Sequence, residues 1–81
     1  MARNAYGIKE FENNEIVIYR AGSNYESPTG KIQFNKLTLE LTILKSEEGS
    51  KVDWALFKVA SKAKNIYKDT GNFPDRVESA S

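Results

Sequence analysis

The sequence predicts an α+β fold, in which a small antiparallel β-sheet of three to four strands forms a meander and one long C-terminal α-helix packs on one face. Three observations lead to this prediction. Short runs rich in β-branched and aromatic residues come first, strict alternation of apolar and polar residues follows, and a segment with helical period comes near the end. A chain of 81 residues is expected to form one domain with a small core, over 1–81.

The first two strands are predicted at about 6–11 and 15–20. Both runs contain β-branched and aromatic residues, and the polar segment 12–14 between them is typical of a hairpin turn. The second run is apolar at successive positions, which favours either a central strand or a face partly covered by a partner. Residues 21–30 hold two glycines, a proline and two serines, so we expect a loop there that is long enough to be functional.

The next segment, 31–44, carries the clearest strand signal in the chain. Leu37, Leu39, Leu41 and Ile43 alternate with polar residues, and we expect these four side chains to pack against the helix. Upstream, 31–34 alternates in the opposite phase. The phase changes across Asn35-Lys36, which indicates either a two-residue turn between two strands or a bulge within one strand. We favour two strands, at about 31–34 and 37–44.

A helix is predicted at about 51–70. Ser50 fits the N-cap position, with Asp53 three residues later as in a capping box, and Gly71 followed by Pro74 fits the C-terminal end. The tail, 72–81, is expected to be loosely ordered, with Phe73 as the residue that could dock it. The apolar stripe of the helix, which should cover the sheet, is Val52, Leu56, Val59, Ala60, Ala63, Ile66 and Tyr67.

A second line of residues runs along the helix, away from that stripe. Its members follow each other at spacings of three and four, as in a helix that meets a partner: Trp54, Phe57, Ser61, Lys64 and Lys68, with Lys51, Lys58 and Lys62 adjoining. Two large aromatic side chains among lysines predict an interface with a protein partner or with a second copy in a homodimer. Alternatively, the aromatic pair is satellite core, covered by the tail or by the 21–30 loop, and the lysines form a solvated face.

Composition argues against several function classes. The chain has no cysteine and no histidine, so disulfides, thiolate metal sites and a Ser-His-Asp arrangement are excluded. No carboxylate spacing marks a catalytic pair. We therefore expect a non-enzymatic protein without metal or cofactor. Neither a signal peptide nor a run of 18 apolar residues occurs, which favours a cytoplasmic protein without membrane contact.

The primary functional prediction is a small protein-interaction module, a regulator or inhibitor, that binds through Trp54, Phe57, Lys58, Ser61, Lys64 and Lys68. The rival prediction is a nucleic-acid-binding module that uses the helix lysines, including Lys51 and Lys62, together with Tyr19, Arg20 and Tyr25. The net charge of +1 does not decide between them, although residues 51–70 carry five lysines against two aspartates. The polar side of the 37–44 strand offers no aromatic ring for stacking.

Overall fold

The α+β class is confirmed, and the sheet has five strands instead of three to four. In a computed structural model, which describes residues 4–23, 28–46 and 53–80, one antiparallel sheet carries a single helix on one face. The elements in chain order are β1 (Asn4–Glu12), β2 (Ile16–Gly22), β3 (Gly30–Asn35), β4 (Leu41–Lys45), α1 (Trp54–Thr70) and β5 (Arg76–Ala80).

The order of the strands in the sheet is β4-β3-β2-β1-β5. The first four strands form the predicted meander, and β2 occupies the central position that its two apolar faces favour. The fifth strand returns after the helix and pairs antiparallel with the outer edge of β1, from Asn4 opposite Ala80 to Ile8 opposite Arg76. The prediction of a loosely ordered tail is therefore wrong, because β5 satisfies backbone groups that β1 would otherwise leave unpaired.

Phe73 docks the segment that leads into β5. Its ring is buried and stacks on Tyr67 of the helix, with 4.3 Å between centroids, and on Phe34 of β3, with 5.5 Å between centroids. Aromatic pairs at these separations add to the stabilisation that burial alone provides. The expectation that Phe73 holds this segment down is confirmed, and the docked ring aims the chain towards the edge of β1.

The hairpin between β3 and β4 corrects the predicted strand 37–44. Two strands are present, as favoured, but the connection is longer than two residues and β4 begins only at Leu41. The Asn35 side-chain oxygen accepts hydrogen bonds from the backbone N–H groups of Leu37 and Thr38, at 2.8 and 3.1 Å. Leu39 then takes a positive φ of 61°. Leu37, predicted to pack against the helix, lies in the turn and is 84% exposed.

Most of the predicted apolar stripe of α1 forms the core with the sheet, although Tyr67 packs at the margin and Ile66 is only half-buried. Val52 lies outside the described residues. Leu56, Val59 and Ala63 are fully buried. Leu39, Leu41 and Ile43 are only partly buried at the margin of the core. The helix lies very close to β1 at Gly7. A Cβ added at Gly7 would come within 2.5 Å of the Val59 side chain.

The helix ends where predicted, but it begins later in the chain than predicted. Gly71 adopts the left-handed conformation, with φ 80°, and its N–H donates to the Tyr67 carbonyl. At the other end, Asp53 is the N-cap residue, without a side-chain capping hydrogen bond, and the first helical residue is Trp54. Ser50 and Lys51, assigned to the N-cap and the first turn from sequence, lie outside the described residues.

Candidate functional site

The outer line of the helix carries one strongly exposed aromatic side chain. Phe57 is 54% exposed, so neither the tail nor the sheet covers it. Trp54, in contrast, is partly buried and packs against the core, in agreement with the satellite-core alternative for that residue. Ser61 and Lys68 are exposed, whereas Lys58 and Lys64 are half-buried. Of the predicted aromatic pair, Trp54 therefore lies at the margin of the core and Phe57 is exposed to solvent.

The residues predicted to bind nucleic acid do not form one site. Tyr19 is fully buried in the core, so its ring is not available to stack on a base. Arg20 is exposed on the side of the sheet that faces away from the helix, and Lys62 is exposed on the helix. Tyr25 and Lys51 lie outside the described residues. Of the described residues in this set, Arg20 lies on the sheet surface described next.

The face of the sheet away from α1, called the open face below, is distinguished by the alternation of burial along β2. Val17, Tyr19 and Ala21 are fully buried under the helix. Their neighbours Ile16 and Ile18 are half-buried, and Arg20 is exposed. Since successive side chains of a strand point to opposite sides, the second set lies on the open face.

Four basic residues lie in one row across the open face. The strand register places Arg76 opposite Ile8, Ile8 opposite Arg20, Arg20 opposite Lys31, and Lys31 opposite Lys45. Directly paired residues of antiparallel strands share a face. These five positions, one from each strand, form what we call the cationic row, with Ile8 as its single apolar member.

Apolar and aromatic side chains flank the cationic row on both sides. On one side Ile18 lies between Phe11 and Gln33, and the Phe11 ring is 48% exposed. On the other side the half-buried Tyr6 lies opposite Glu78 of β5. The open face thus combines positive charge with aromatic surface. The polar positions of the predicted 37–44 strand supply no aromatic ring.

Acidic side chains lie beside the cationic row. Lys31 forms an exposed ion pair with Glu10, at 3.1 Å between Nζ and Oε1, and such pairs contribute little to stability. Among the described residues, neither Arg20 nor Arg76 forms a salt bridge. Among the described residues, the carboxylates of Glu10 and Glu78 lie on this face with the four basic groups.

Other carboxylates are engaged in a second charge cluster, which anchors the segment before Arg76. The Lys9 ammonium contacts Glu12 at 2.7 Å and Asp75 at 2.9 Å, and Lys36 also pairs with Glu12. Hydrogen bonds to Glu12 and Asp75 raise the pKa of Lys9. Hydrogen bonds from Lys36 and Lys9 hold the pKa of Glu12 below its ordinary value.

Two further hydrogen bonds fix the same segment. The Lys9 backbone N–H donates to the Asp75 carbonyl at 2.8 Å, and the buried Tyr19 hydroxyl donates to the Pro74 carbonyl. Burial, reinforced by the nearby Glu12 and Asp75 charges, raises the pKa of Tyr19, so its hydroxyl remains protonated and able to donate. The Lys9 ammonium also donates to the Phe73 carbonyl at 3.3 Å, so the backbone before Arg76 is held at three successive residues, 73–75.

Sequence reasoning missed most of the cationic row. The sequence places Arg76 in the predicted tail. That Ile8, Lys31 and Lys45 lie in one row with it follows only from the register of four strand pairs. One signal was present: Arg20 is in phase with Ile16 and Ile18, on the side of β2 opposite the fully buried residues. That phase indicates a cation on the second face of a central strand.

A comparison of this chain with protein families, with curated proteins and with solved structures returned no match. Within the described residues, no group of three or more His, Cys, Asp or Glu side chains is placed to hold a metal ion. The helix that is described there lacks the length and the apolar character that crossing a membrane requires.

Proposed function

We propose that this protein is a non-enzymatic nucleic-acid-binding module and that the open face of its sheet is the binding surface. The observation that carries the proposal is the cationic row, in which Arg76, Arg20, Lys31 and Lys45 come from four different strands. Basic side chains collected on one surface by the fold provide the electrostatic attraction on which phosphate-backbone binding depends.

The composition of the open face supports a nucleic acid over other polyanions. A surface that attracts only negative charge needs no aromatic or aliphatic members, yet Phe11, Ile18 and Tyr6 lie directly beside the cations. Bases stack on aromatic side chains, and such stacking combined with a basic groove is how small β-sheet domains bind nucleic acid. The guanidinium groups of Arg20 and Arg76 can in addition contact two phosphate oxygens each.

The test compares two double variants that remove the same charge from opposite sides of the protein. Arg20→Gln with Arg76→Gln neutralises half of the cationic row, and the matched control, Lys62→Gln with Lys68→Gln, removes two exposed cations from the helix. Binding to labelled DNA oligonucleotides, single- and double-stranded, is measured by fluorescence anisotropy in about 0.1 M salt, and for the unmodified protein also at low salt. The loss of two charge-assisted contacts should weaken binding by about tenfold or more in the arginine variant.

The lysine control should bind within about twofold of the unmodified protein, because long-range attraction is screened over about 10 Å in 0.1 M salt. Equal losses in both variants would assign binding to the overall charge, and a larger loss in the lysine variant would assign it to the helix. Absence of binding by the unmodified protein at low salt would reject the proposal.

A second candidate function is a protein-interaction module, a regulator or inhibitor, that uses the outer line of the helix. The specific observation in its favour is the 54% exposure of Phe57 beside the exposed Ser61 and Lys68. Phe57→Ser tests this candidate without disturbing Trp54, which packs against the core. A second copy is the partner that can be tested directly. Sedimentation should then show a dimer that Phe57→Ser dissociates, and a monomer at all concentrations contradicts self-association.

A further inference from the structure

We infer that the ligand of the open face is a single-stranded nucleic acid whose backbone crosses the five strands along the cationic row. This inference rests on the proposed function and specifies its ligand and its path. The row runs perpendicular to the strands, because each of its members comes from a different strand and is paired directly with the next. A backbone laid along a strand would meet only one or two of these cations.

The width of the surface argues against a duplex. Neighbouring strands lie about 4.8 Å apart, so the four intervals from Arg76 on β5 to Lys45 on β4 span about 19 Å. The major groove of duplex DNA is about 12 Å wide and admits a helix or a two-stranded ribbon. A five-stranded face is too broad to enter that groove, and the cations in the middle of the row, on central strands, would meet the duplex only at its outer backbone.

The apolar flanks give the second argument for a single strand. With a backbone over the row, the bases extend to either side, along the strand direction, where Phe11 and Ile18 lie on one flank and Tyr6 on the other. In a duplex the base faces are covered by stacking and pairing, whereas in a single strand they are open to aromatic side chains. The 48% exposed ring of Phe11 is the most accessible of these platforms.

The phosphate groups and the base faces are common to DNA and RNA, so both single strands should bind alike. A span of about 19 Å corresponds to a footprint of about four nucleotides, the lower end of the range for small single-strand-binding folds. If all four cations neutralise a phosphate, the logarithm of the association constant should fall with the logarithm of salt concentration with a slope of about −3.

The experiment measures anisotropy of labelled oligothymidylate, of oligouridylate and of a duplex of equal length, about 12 nucleotides, over a salt series. Both single strands should bind at least about tenfold more tightly than the duplex. Phe11→Ser should lower single-strand affinity by about tenfold while leaving the salt slope unchanged, and Phe11→Tyr, which keeps the ring, should restore the affinity. Leu37→Ser, which removes an exposed apolar side chain from the turn between β3 and β4, is the control and should change nothing.

Failure of the inference can be told apart from failure of the proposed function. Duplex binding equal to or tighter than single-strand binding, with Arg20→Gln and Arg76→Gln still weakening it, would overturn the single-strand ligand and leave the nucleic-acid surface in place. Binding of only one of the two single strands would overturn recognition through their shared chemistry. An unchanged affinity of a folded Phe11→Ser, with folding checked by circular dichroism, would overturn the base platform. No binding of any oligonucleotide would overturn both proposals.

Discussion

The two faces of the sheet are built from alternate residues of the same strands and differ sharply in character. On the helix side β2 contributes Val17, Tyr19 and Ala21, all fully buried. On the open face the same strand contributes Ile16, Ile18 and Arg20, which are half-buried or exposed. The face under the helix stabilises the fold, whereas the open face carries apolar and basic side chains that remain half-buried or exposed. An apolar surface of this kind beside four cations is what a binding face requires.

The largest expected effect comes from the same substitution placed on neighbouring residues of β2. Val17→Asp buries an unpaired carboxylate under the helix and should cost about 4 kcal/mol or more, enough to unfold a domain of this size. Ile18→Asp places the carboxylate on the half-buried open face and should leave the domain folded. Thermal unfolding followed by circular dichroism measures both. Equal destabilisation by the two variants would mean that the open face is also core.

A smaller loss of stability is expected when the charge cluster of Lys9, Glu12 and Lys36 is disturbed. Glu12 pairs with Lys36 and Lys9, and Glu12→Gln should lower the free energy of unfolding at neutral pH by about 0.5–1 kcal/mol. Because the pKa of Glu12 is lowered in the folded protein, the stabilisation from its charge is present above its ordinary value of 4.5 and is lost as the pH falls through the folded pKa.

The Glu12→Gln protein and its parent should therefore converge in stability in acid. Lys9 does not change this expectation, since its pKa is raised from 10.5 and it stays charged throughout the neutral and acid range. Urea unfolding at several pH values provides the measurement. A stability difference that persists unchanged in acid would show that Glu12 acts through packing instead of through its charge.

Local periodicity was sufficient to predict the helix, its apolar stripe and its glycine end. The 3.6-residue period of Leu56, Val59 and Ala63 is decided within the segment, and so is the left-handed residue at Gly71. The strand β5 could not be predicted in the same way. Its sequence RVESA has a single large apolar residue, Val77, and it becomes a strand because docked Phe73 brings it to the free edge of β1.

The prediction at Leu37 failed in the opposite way. The apolar alternation begins at residue 37, but strand β4 begins only at Leu41. The alternation of apolar residues suggested a strand from 37, but the Asn35 side chain hydrogen-bonds the following N–H groups and closes a turn there.

The cationic row could not be predicted from the sequence for a third reason. It depends on the relative register of four strand pairs, which is a property of the sheet and not of any single segment.

We propose that the open face, and not the helix, binds nucleic acid. The most direct measurement is the salt dependence of single-strand binding by Arg20→Gln with Arg76→Gln, compared with Lys62→Gln with Lys68→Gln. We expect the arginine variant to lose about tenfold or more in affinity and its slope to fall from about −3 to about −1.4. The lysine variant should keep both the affinity and the slope of the unmodified protein. An unchanged affinity and slope in the arginine variant, with loss in the lysine variant, would contradict it.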